Sequence, residues 1–297
     1  MGVIQRVVKP TTHRTKRILK NKQPKIIENT KKTIFLRGWK THETVSNFCT
    51  DICNLKKPHS ISLSKKHEIL PFEDLGPIEK LCNKYDVSMF VFSSHNKKRP
   101  DNLVIGRLFD HHVLDAFEFG VESFKSMLEF KSWTPSVGIK PALVFMGEDF
   151  DTVHSLNRMK SLFIDLFHQN ETELVHLNNV EYVVTFAVVE NKVLIRTYRI
   201  VMKNVGEKSP RVELESIGPC ADLTIRRQIL ASDDLFKKAC SKPKIKGKKI
   251  KNVRRDAFGS KLGRVHMTPQ DVNKLQTRKM KGLKKPKKDA KKKKNPE

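Results

Sequence analysis

Two groups of acidic residues in the sequence have the residue types that metal-dependent nucleases use. Glu190-Asn191-Lys192 fits the Glu-x-Lys of some nucleases, in which both side chains come from a strand beside another acid around a metal. Glu148, Asp149 and Asp151 resemble a metal-binding cluster, but they fall between a predicted strand and a predicted helix, where carboxylates cap free N–H groups. The Glu-x-Lys falls on the tip of a predicted hairpin. We therefore favour helix capping for the cluster, and a metal-dependent RNA nuclease that uses Glu148, Asp149 or Glu190 with Lys192 stays an alternative.

Cysteine and histidine pairs make a weaker case for a metal. Cys49 and Cys53 lie four residues apart on a predicted helix, but no second pair of the CxxC or HxxxH type completes four zinc ligands. His111 and His112 are adjacent, so on a helix their side chains would point about 100° apart. We interpret the cysteines as core residues and the histidines as cap or surface residues.

The common signatures of nucleotide and hydrolase sites are also missing from the sequence. It contains neither a phosphate loop of the GxxxxGK type, nor a GxGxxG after a strand, nor a GxSxG elbow. We therefore expect a protein that is not an enzyme, with no catalytic residues, no metal and no cofactor.

Basic residues at the predicted ends of strands fit a different chemistry, which is the binding of phosphates. Arg37 and Lys40 flank Trp39, Lys97-Lys98-Arg99 form a predicted loop, and Arg226-Arg227 follow a predicted strand. Side chains at strand ends reach phosphates while the sheet holds their spacing. Trp39 either stacks on an exposed base or lies in the core. The loop at Lys97 either binds RNA or is a solvated turn.

The positive charge of the chain is concentrated at its two ends. Of 59 Lys and Arg against 32 Asp and Glu, residues 1–40 hold 12 against 1 and residues 242–297 hold 22 against 4. The remainder, 41–241, has 25 against 27 and is nearly neutral. Basic arms around a neutral body are typical of nucleic-acid binding, although such arms could also serve only to solubilise the chain. In the second arm the predicted RNA-binding residues are Arg254, Arg255, Arg264, Arg278, Lys279 and Lys281.

Other features of the sequence bear on the compartment. The five cysteines are odd in number and scattered, which argues against a secreted disulfide framework. No apolar run of 18 residues is present, and the first residues lack the apolar segment of a signal peptide. Lysine runs at 284–288 and 291–294 fit nuclear localisation signals. We expect a soluble intracellular protein of the nucleus or nucleolus with no membrane partner.

The spacing of apolar residues predicts strands and helices that alternate early in the chain, followed by a cluster of strands. The predicted strands are 33–38, 60–64, 87–92, 103–106, 141–147, 182–189, 193–200 and 212–217, and the predicted helices are 12–21, 44–55, 76–85, 110–128 and 153–167. Residues 95–102 are predicted to be a turn-rich loop, and Asp110 the N-cap of the helix that follows it. This order favours an α+β fold with a mixed, mainly antiparallel sheet over a doubly wound parallel one.

Six short motifs stand in a fixed order over roughly residues 30–285. They are Phe35-Leu36-Arg37-Gly38, Ser93 to Pro100, Asn102 to Arg107, Ile217-Gly218-Pro219, Leu230 to Leu235, and Asp271 to Lys285 with Leu275 to Leu283 at its centre. With these motifs the chain resembles the Brix-domain family of ribosome assembly factors, and within it the ribosome production factor 2 branch. Many Brix proteins have an arginine after the Gly-Pro, whereas this chain has Cys220. Any contact that this arginine makes in the family would have to be made here by Arg226 or Arg227.

The resemblance implies a fold and a set of partners. The implied fold is a Brix domain over residues 31–235, with two similar α/β halves, 31–131 and 132–235, each resembling an anticodon-binding domain and sharing one sheet. A basic arm, 1–30, would precede it and a basic, lysine-rich extension, 236–297, would follow, with strand 212–217 closing the sheet and Arg226-Arg227 in a short basic exit. The implied partners are 5S rRNA and large-subunit rRNA, the two ribosomal proteins bound to 5S rRNA, the regulator of ribosome synthesis protein as a heterodimer partner, and the pre-60S particle.

The leading hypothesis is accordingly a non-enzymatic scaffold for assembly of the large (60S) subunit. It would bind rRNA, help to recruit 5S rRNA and its proteins into pre-ribosomes in the nucleolus, and support maturation of pre-rRNA. A protein adaptor whose arms bind acidic partners instead of RNA is a further alternative, beside the nuclease.

Overall fold

One mixed β-sheet organises the larger of two units in the computed structural model, residues 1–243; the smaller unit is 244–297. The structure describes residues 10–22, 26, 28–130, 133–169, 175–176, 180–203, 210–243, 251–265, 267–269 and 271–274. The helices are α1 His13–Lys22, α2 Glu43–Lys56, α3 Gly76–Tyr85, α4 Asp149–Thr152, α5 His154–Phe167 and α6 Asp233–Ala239. The strands are β1 Thr33–Gly38, β2 Ser60–His67, β3 Met89–Asn96, β4 Arg99–Phe109, β5 His112–Lys125, β6 Ala142–Met146, β7 Tyr182–Val189, β8 Lys192–Lys203, β9 Arg211–Ser216, β10 Cys220–Ile229, β11 Val253–Arg255 and β12 Lys261–Gly263.

The sheet is built from two similar sets of strands that meet in its middle. Its order is β2-β1-β3-β4-β5-β10-β8-β7-β6, with β9 added beside β8. In the first set β1 runs parallel to β3, which is followed by the antiparallel strands β4 and β5. In the second set β6 runs parallel to β7, which is followed by the antiparallel strands β8 and β10. Strands β5 and β10 pair antiparallel at the seam. The prediction of a mixed, mainly antiparallel sheet is therefore confirmed.

Helices cover one face of this sheet along its length and the other face only in part. The larger core lies under α2 and α5, where Phe48, Ile52, Phe163 and other apolar side chains pack against both sets of strands. The smaller core lies on the opposite face, where Ile78 and Cys82 of α3 pack against β1, β3 and β4. Burying apolar side chains is the main favourable term in folding, so these two cores hold the helices against the sheet.

The predicted helix over residues 110–128 is wrong, because this segment contains the long strand β5. Asp110 caps no helix; with His111 it forms the turn between β4 and β5, and both have positive φ, 49° and 74°. Such φ values at two successive residues suit the tight turns of hairpins. All residues from Leu114 to Val121 are buried, so apolar side chains occupy both faces of the strand. Their spacing therefore imitates one face of a helix, although the two acids among these residues, Asp115 and Glu118, are buried as well.

Two more predictions need correction near the proposed binding residues. The loop predicted over 95–102 is mostly strand, because β3 and β4 extend into a tight hairpin that leaves only Lys97 and Lys98 between them. The basic exit predicted after Gly218-Pro219 is strand β10, which pairs with β5 on one side and with β8 on the other. β9 is a strand as predicted, but the strand that joins the two sets is β10, not β9.

In the smaller unit the described residues form a short antiparallel hairpin. β11 pairs with β12, and a 3-10 turn follows at Val272–Lys274. None of the helices among the described residues of either unit is long and apolar enough to cross a membrane.

Candidate nucleic-acid interface

The carboxyl ends of three neighbouring strands bring basic residues together in the first set of strands. β1 lies between β2 and β3 and is parallel to both, with Gly38 beside His67 and Arg37 beside Ser93. Parallel strands end at the same edge of a sheet, so the last residues of β2, the residues after β1 and the turn after β3 share one corner. We call this corner the lysine corner; its residues are Trp39, Lys40, Lys65, Lys66, Lys97 and Lys98.

The side chains of the lysine corner are free to meet a ligand. All five lysines are exposed, and 66% of the surface of Trp39 is accessible, so the alternative that Trp39 lies in the core is wrong. Within the described part of the chain, no acidic side chain forms an ion pair with any of these five lysines. Exposed ammonium groups without an internal counter-ion are the groups that bind phosphates most readily.

The loop between β1 and α2 is fixed against the end of β3. The backbone N–H of His95 donates to the carbonyl of Lys40 at 2.8 Å. The hydroxyl of Thr41 lies 3.1 Å from the carbonyl oxygen of Gly38 and 3.4 Å from that of Ser93. A Cβ at Gly38 would lie 3.0 Å from that Ser93 oxygen, so glycine lets the two strands approach closely. The backbone of the lysine corner is therefore held in one position by hydrogen bonds between the loop and β3.

Two predicted arginines border the lysine corner but are partly used by the fold. Arg37 is half-buried in β1, and its guanidinium donates to the hydroxyl of Thr50 at 3.3 Å. Arg99 is also half-buried and lies 3.8 Å from Glu118. These two residues can add positive charge to the corner, although neither is as free as the lysines.

The guanidinium groups of Arg226 and Arg227 are held by residues of other strands. Arg227 donates to both carboxylate oxygens of Glu118, at 3.0 Å in one contact, and its guanidinium lies 4.3 Å from the ring centre of Phe72. Arg226 donates to the carbonyl of Pro100 at 2.8 Å and to the side chain of Asn102 at 3.2 Å. The structure thus gives both residues a structural position, in the seam between β5 and β10.

The environment of Glu118 shows how strongly this seam is paired. Burial acts to raise the pKa of the Glu118 carboxyl, but hydrogen bonds from Arg227 and Asn102 and the charges of Arg227 and Arg99 hold that pKa below its usual value. The hydrogen bond to Glu118 in turn raises the pKa of the Arg227 guanidinium. Both groups are therefore charged in the folded protein at neutral pH.

The predicted residues of the second arm are only partly described. Arg254 and Arg255 lie on β11 and are exposed. Arg264 is exposed as well, and its backbone N–H donates to the carbonyl of Asn252 at 2.7 Å. Arg278, Lys279 and Lys281 lie outside the described residues.

The sequence analysis missed two members of the lysine corner. Lys65 and Lys66 extend the predicted strand at 60–64, and the alternation that predicted this strand stops before them. Two adjacent lysines at the end of a predicted strand could have been recognised from the sequence as a possible phosphate-binding pair. Its place beside Arg37 depends on the parallel pairing of β1 with β2, which short-range patterns do not reveal.

The acidic residues considered for a nuclease lie at the corresponding corner of the second set of strands. Asp149 and Glu190 line one cavity of about 460 Å³. Lys192 forms an ion pair with Glu122 at 2.7 Å, and Asp151 forms one with Lys160 at 2.7 Å. Glu148 is the N-cap residue of α4, but its side chain makes no capping hydrogen bond. Within the described ranges, no three His, Cys, Asp or Glu side chains are grouped so that they could hold a metal ion.

The cysteine pair is buried as predicted. Cys49 and Cys53 belong to the larger core, with 5% and 8% of their surfaces exposed. Burial raises the pKa of the Cys49 thiol to about 12, so this sulfur is a protonated core group at neutral pH. His111 and His112 lie at the β4–β5 turn and are exposed.

Comparison with known proteins identifies the family. The Brix domain model matches residues 38–227. A ribosome production factor 2 homolog of Bos taurus is 46% identical over 265 residues, which cover 89% of this chain and 87% of that protein. The homolog of Homo sapiens is 45% identical over 264 residues, covering 89% and 86%. The chain belongs to the Brix-domain family.

The expected resemblance to the ribosome production factor 2 branch and the expected α+β Brix fold are both confirmed, and with them a role in ribosome biogenesis. A solved structure of a probable ribosomal biogenesis protein from Aeropyrum pernix K1 aligns with this chain at a TM-score of 0.42 and 10% sequence identity. The alignment covers 65% of this chain and 96% of that protein. The Brix match runs from Gly38 to Arg227, so it includes the whole lysine corner and all of the seam except the last two residues of β10.

Proposed function

We propose that this Brix protein is a non-enzymatic assembly factor of the large ribosomal subunit that binds rRNA directly. In this role it helps to bring 5S rRNA and its two ribosomal proteins into pre-60S particles and supports pre-rRNA maturation. The observation that carries the proposal is the lysine corner, where five exposed lysines converge without an internal acidic partner among the described residues. The family's role in ribosome biogenesis makes rRNA the polyanion that such a surface would meet.

The body and the two arms differ in charge, and we expect them to contribute differently to RNA binding. The body is nearly neutral, so its lysine corner is a local concentration of charge rather than part of a general one. The arms add a large positive charge at both ends of the chain. Neutralising phosphates releases bound counter-ions, so affinity should fall steeply as salt rises. In this proposal the lysine corner orients the RNA, and the arms add affinity that depends little on the base sequence of the RNA.

A protein partner is the second part of the proposal, and the regulator of ribosome synthesis protein is the expected one. The surface of strand β9 fits a protein partner better than RNA. Val212 and Leu214 on one face of the strand are 54% and 55% exposed. On the opposite face Glu213 pairs with Lys203 at 2.6 Å and Glu215 with Arg199 at 3.6 Å. A strand whose charges are paired and whose apolar side chains meet solvent is typical of a protein interface.

The experiment that tests RNA binding measures the affinity of the full chain for 5S rRNA over a range of salt concentrations. We expect a steep linear fall of log affinity with log salt, since each phosphate contact contributes about 0.7 to 0.9 to the slope. Replacing Lys65, Lys66, Lys97 and Lys98 with alanine should make the slope shallower by about 3, if each lysine makes one phosphate contact. An unchanged slope in this variant would remove the lysine corner from the RNA interface.

A second measurement separates this function from its alternatives. Crosslinking in cells should recover rRNA bound to the chain, whereas an adaptor without RNA binding would yield none. Incubating 5S rRNA with the purified chain and Mg²⁺ should leave the RNA intact. Cleavage that disappears in Glu190→Gln would instead favour the nuclease.

A further inference from the structure

Trp39 is exposed for no reason that the fold supplies. The other tryptophan, Trp133, packs against the larger core, and the guanidinium of Arg199 lies 5.1 Å from its ring centre. Trp39 joins neither core, and 66% of its surface is accessible. A large aromatic ring kept in solvent loses the free energy that its burial would provide. A ligand that covers the ring would recover that free energy.

The backbone on both sides of Trp39 is held in place. Gly38 before it lies in close contact with β3, and the carbonyl of Lys40 after it accepts the hydrogen bond from His95. Thr41 adds its hydroxyl to the same region of β3. The ring therefore projects from a fixed loop, and little backbone freedom would be lost on binding. Such pre-organisation favours affinity.

The charges around Trp39 indicate the ligand. Lys40 is its neighbour in sequence, and Lys97 and Lys98 form the turn at the adjoining end of β3. An aromatic ring beside several unpaired cations matches the two parts of a nucleotide, its base and its phosphate. A peptide with an apolar side chain would use the ring but would leave the lysines without a partner.

We infer that Trp39 is a stacking platform for an unpaired base of RNA whose neighbouring phosphates are held by Lys40, Lys97 and Lys98. The inference rests on the proposed RNA binding and adds the class of RNA that the corner selects. Bases inside a duplex already stack on both faces, whereas bases in loops, bulges and single strands have a free face. The lysine corner should thus prefer looped or single-stranded RNA over a continuous duplex.

Binding of the full chain to two RNA probes tests this preference. One probe is a hairpin with an unpaired loop, and the other is a blunt duplex with the same number of phosphates. We expect Trp39→Ala to weaken binding of the hairpin about tenfold, in the range that base–aromatic stacking supplies, and to change binding of the duplex less than twofold. Trp39→Phe keeps a ring and should retain most of the preference. Thermal unfolding of each variant should match that of the parent chain, because Trp39 is exposed.

Fluorescence gives an independent readout at the same site. With Trp133→Phe as background, Trp39 is the only remaining tryptophan, and stacking on a base should quench its emission when the hairpin saturates the protein.

The possible outcomes separate the inference from the proposed function. Hairpin binding that Trp39→Ala leaves unchanged, while Lys97→Ala with Lys98→Ala weakens it, would overturn the stacking inference and support RNA binding. Equal losses for hairpin and duplex would also overturn it. So would emission that changes only when a protein partner is added. Failure of the parent chain to bind either probe would overturn both proposals.

Discussion

The two sets of strands end in corners with the same backbone plan and opposite charge. In the first set the loop after β1 carries Trp39-Lys40, and the turn after β3 carries Lys97-Lys98. In the second set the loop after β6 carries Glu148-Asp149, and the turn after β7 carries Glu190-Asn191. The strand pairing is alike in both, parallel between the first two strands and antiparallel afterwards. The fold thus offers two equivalent positions, of which the first carries lysines and the second carries acids.

A third region, the seam between the two sets, holds basic residues that the fold itself pairs. Arg226 and Arg227 lie there within reach of partners from β4 and β5, and each guanidinium donates two hydrogen bonds to them. The lysine corner differs because its ammonium groups project beyond the ends of the strands. We therefore expect that the counter-ions supplied by the fold decide which basic residues can bind RNA.

The largest expected effect is on stability, at the seam. Arg227→Ala should lower the free energy of unfolding by about 2 kcal/mol, because it removes charged hydrogen bonds from Glu118, a carboxylate whose side chain is only 2% exposed. Chemical denaturation measures this change, with Gln228→Ala on the exposed neighbouring position as the control. RNA affinity of the folded variant should stay within twofold of the parent. A loss of RNA affinity at full stability would place Arg227 in the RNA interface after all.

The next effect should appear in RNA affinity, at the lysine corner. The change Lys97→Glu with Lys98→Asn gives the first hairpin the turn residues of the second. Affinity for 5S rRNA at low salt should fall about tenfold, because phosphate contacts are lost and a negative charge is gained. The midpoint of thermal unfolding should not change, since both side chains are exposed. Glu190→Gln at the opposite corner is the matched control and should leave affinity within twofold; equal effects at both corners would contradict the comparison.

A smaller effect should follow from a change in how the seam packs. A Cβ at Gly120 would lie 2.4 Å from the guanidinium of Arg226, so Gly120→Ala must displace that group from Asn102 and Pro100. We expect a loss of about 1 kcal/mol in the free energy of unfolding. In an Arg226→Ala background the same change should cost much less. Equal costs in the two backgrounds would show that Arg226 is not held as the structure indicates.

The smallest effect should be a dependence of stability on pH. The pKa of Glu118 is lower in the folded chain than its ordinary value, so its ion pair contributes stability that is complete above the ordinary glutamate pKa of about 4.3. That contribution is lost as the pH falls through the lowered folded-state value. Glu118→Gln should therefore flatten the fall in stability below about pH 4.3, as measured by denaturation at several pH values. An unchanged acid limb would mean that other carboxylates control it.

Local patterns predicted those elements that bury one face. Apolar residues three and four positions apart correctly placed α2, α3 and α5, because each of these helices packs one side on the sheet. The same rule failed for β5, which is buried on both faces. The exposed turn at Lys97 and Lys98 was correctly placed among the loop residues, since tight hairpin turns lie at the surface. The acidic cluster lies at the start of a helix as predicted, with Glu148 as the N-cap residue of α4 and Asp149 and Asp151 in its first turn, but the Glu148 side chain makes no capping hydrogen bond.

Which basic residues bind RNA stays a prediction, but their exposure could be foreseen where it is local and could not where a distant residue intervenes. Trp39, Lys40, Lys97 and Lys98 lie at the surface because they follow strands directly. Arg227 has the same residue type and the same charge, but its partner Glu118 lies 109 residues earlier in the chain. Nothing within a few residues of Arg227 distinguishes it from a free basic side chain.

The order of amino acids determined the charge plan, the main helices and the family, because composition, spacing and motifs are properties of the chain itself. Tertiary structure decided which basic residues are free. It did so through three pairings that join residues distant in sequence, β1 beside β2, β1 beside β3 and β5 beside β10. The first two bring Lys65, Lys66, Lys97 and Lys98 to the end of β1, where Trp39 and Lys40 follow. The third places Arg226 and Arg227 within hydrogen-bond reach of their partners, so the fold itself uses these two basic groups.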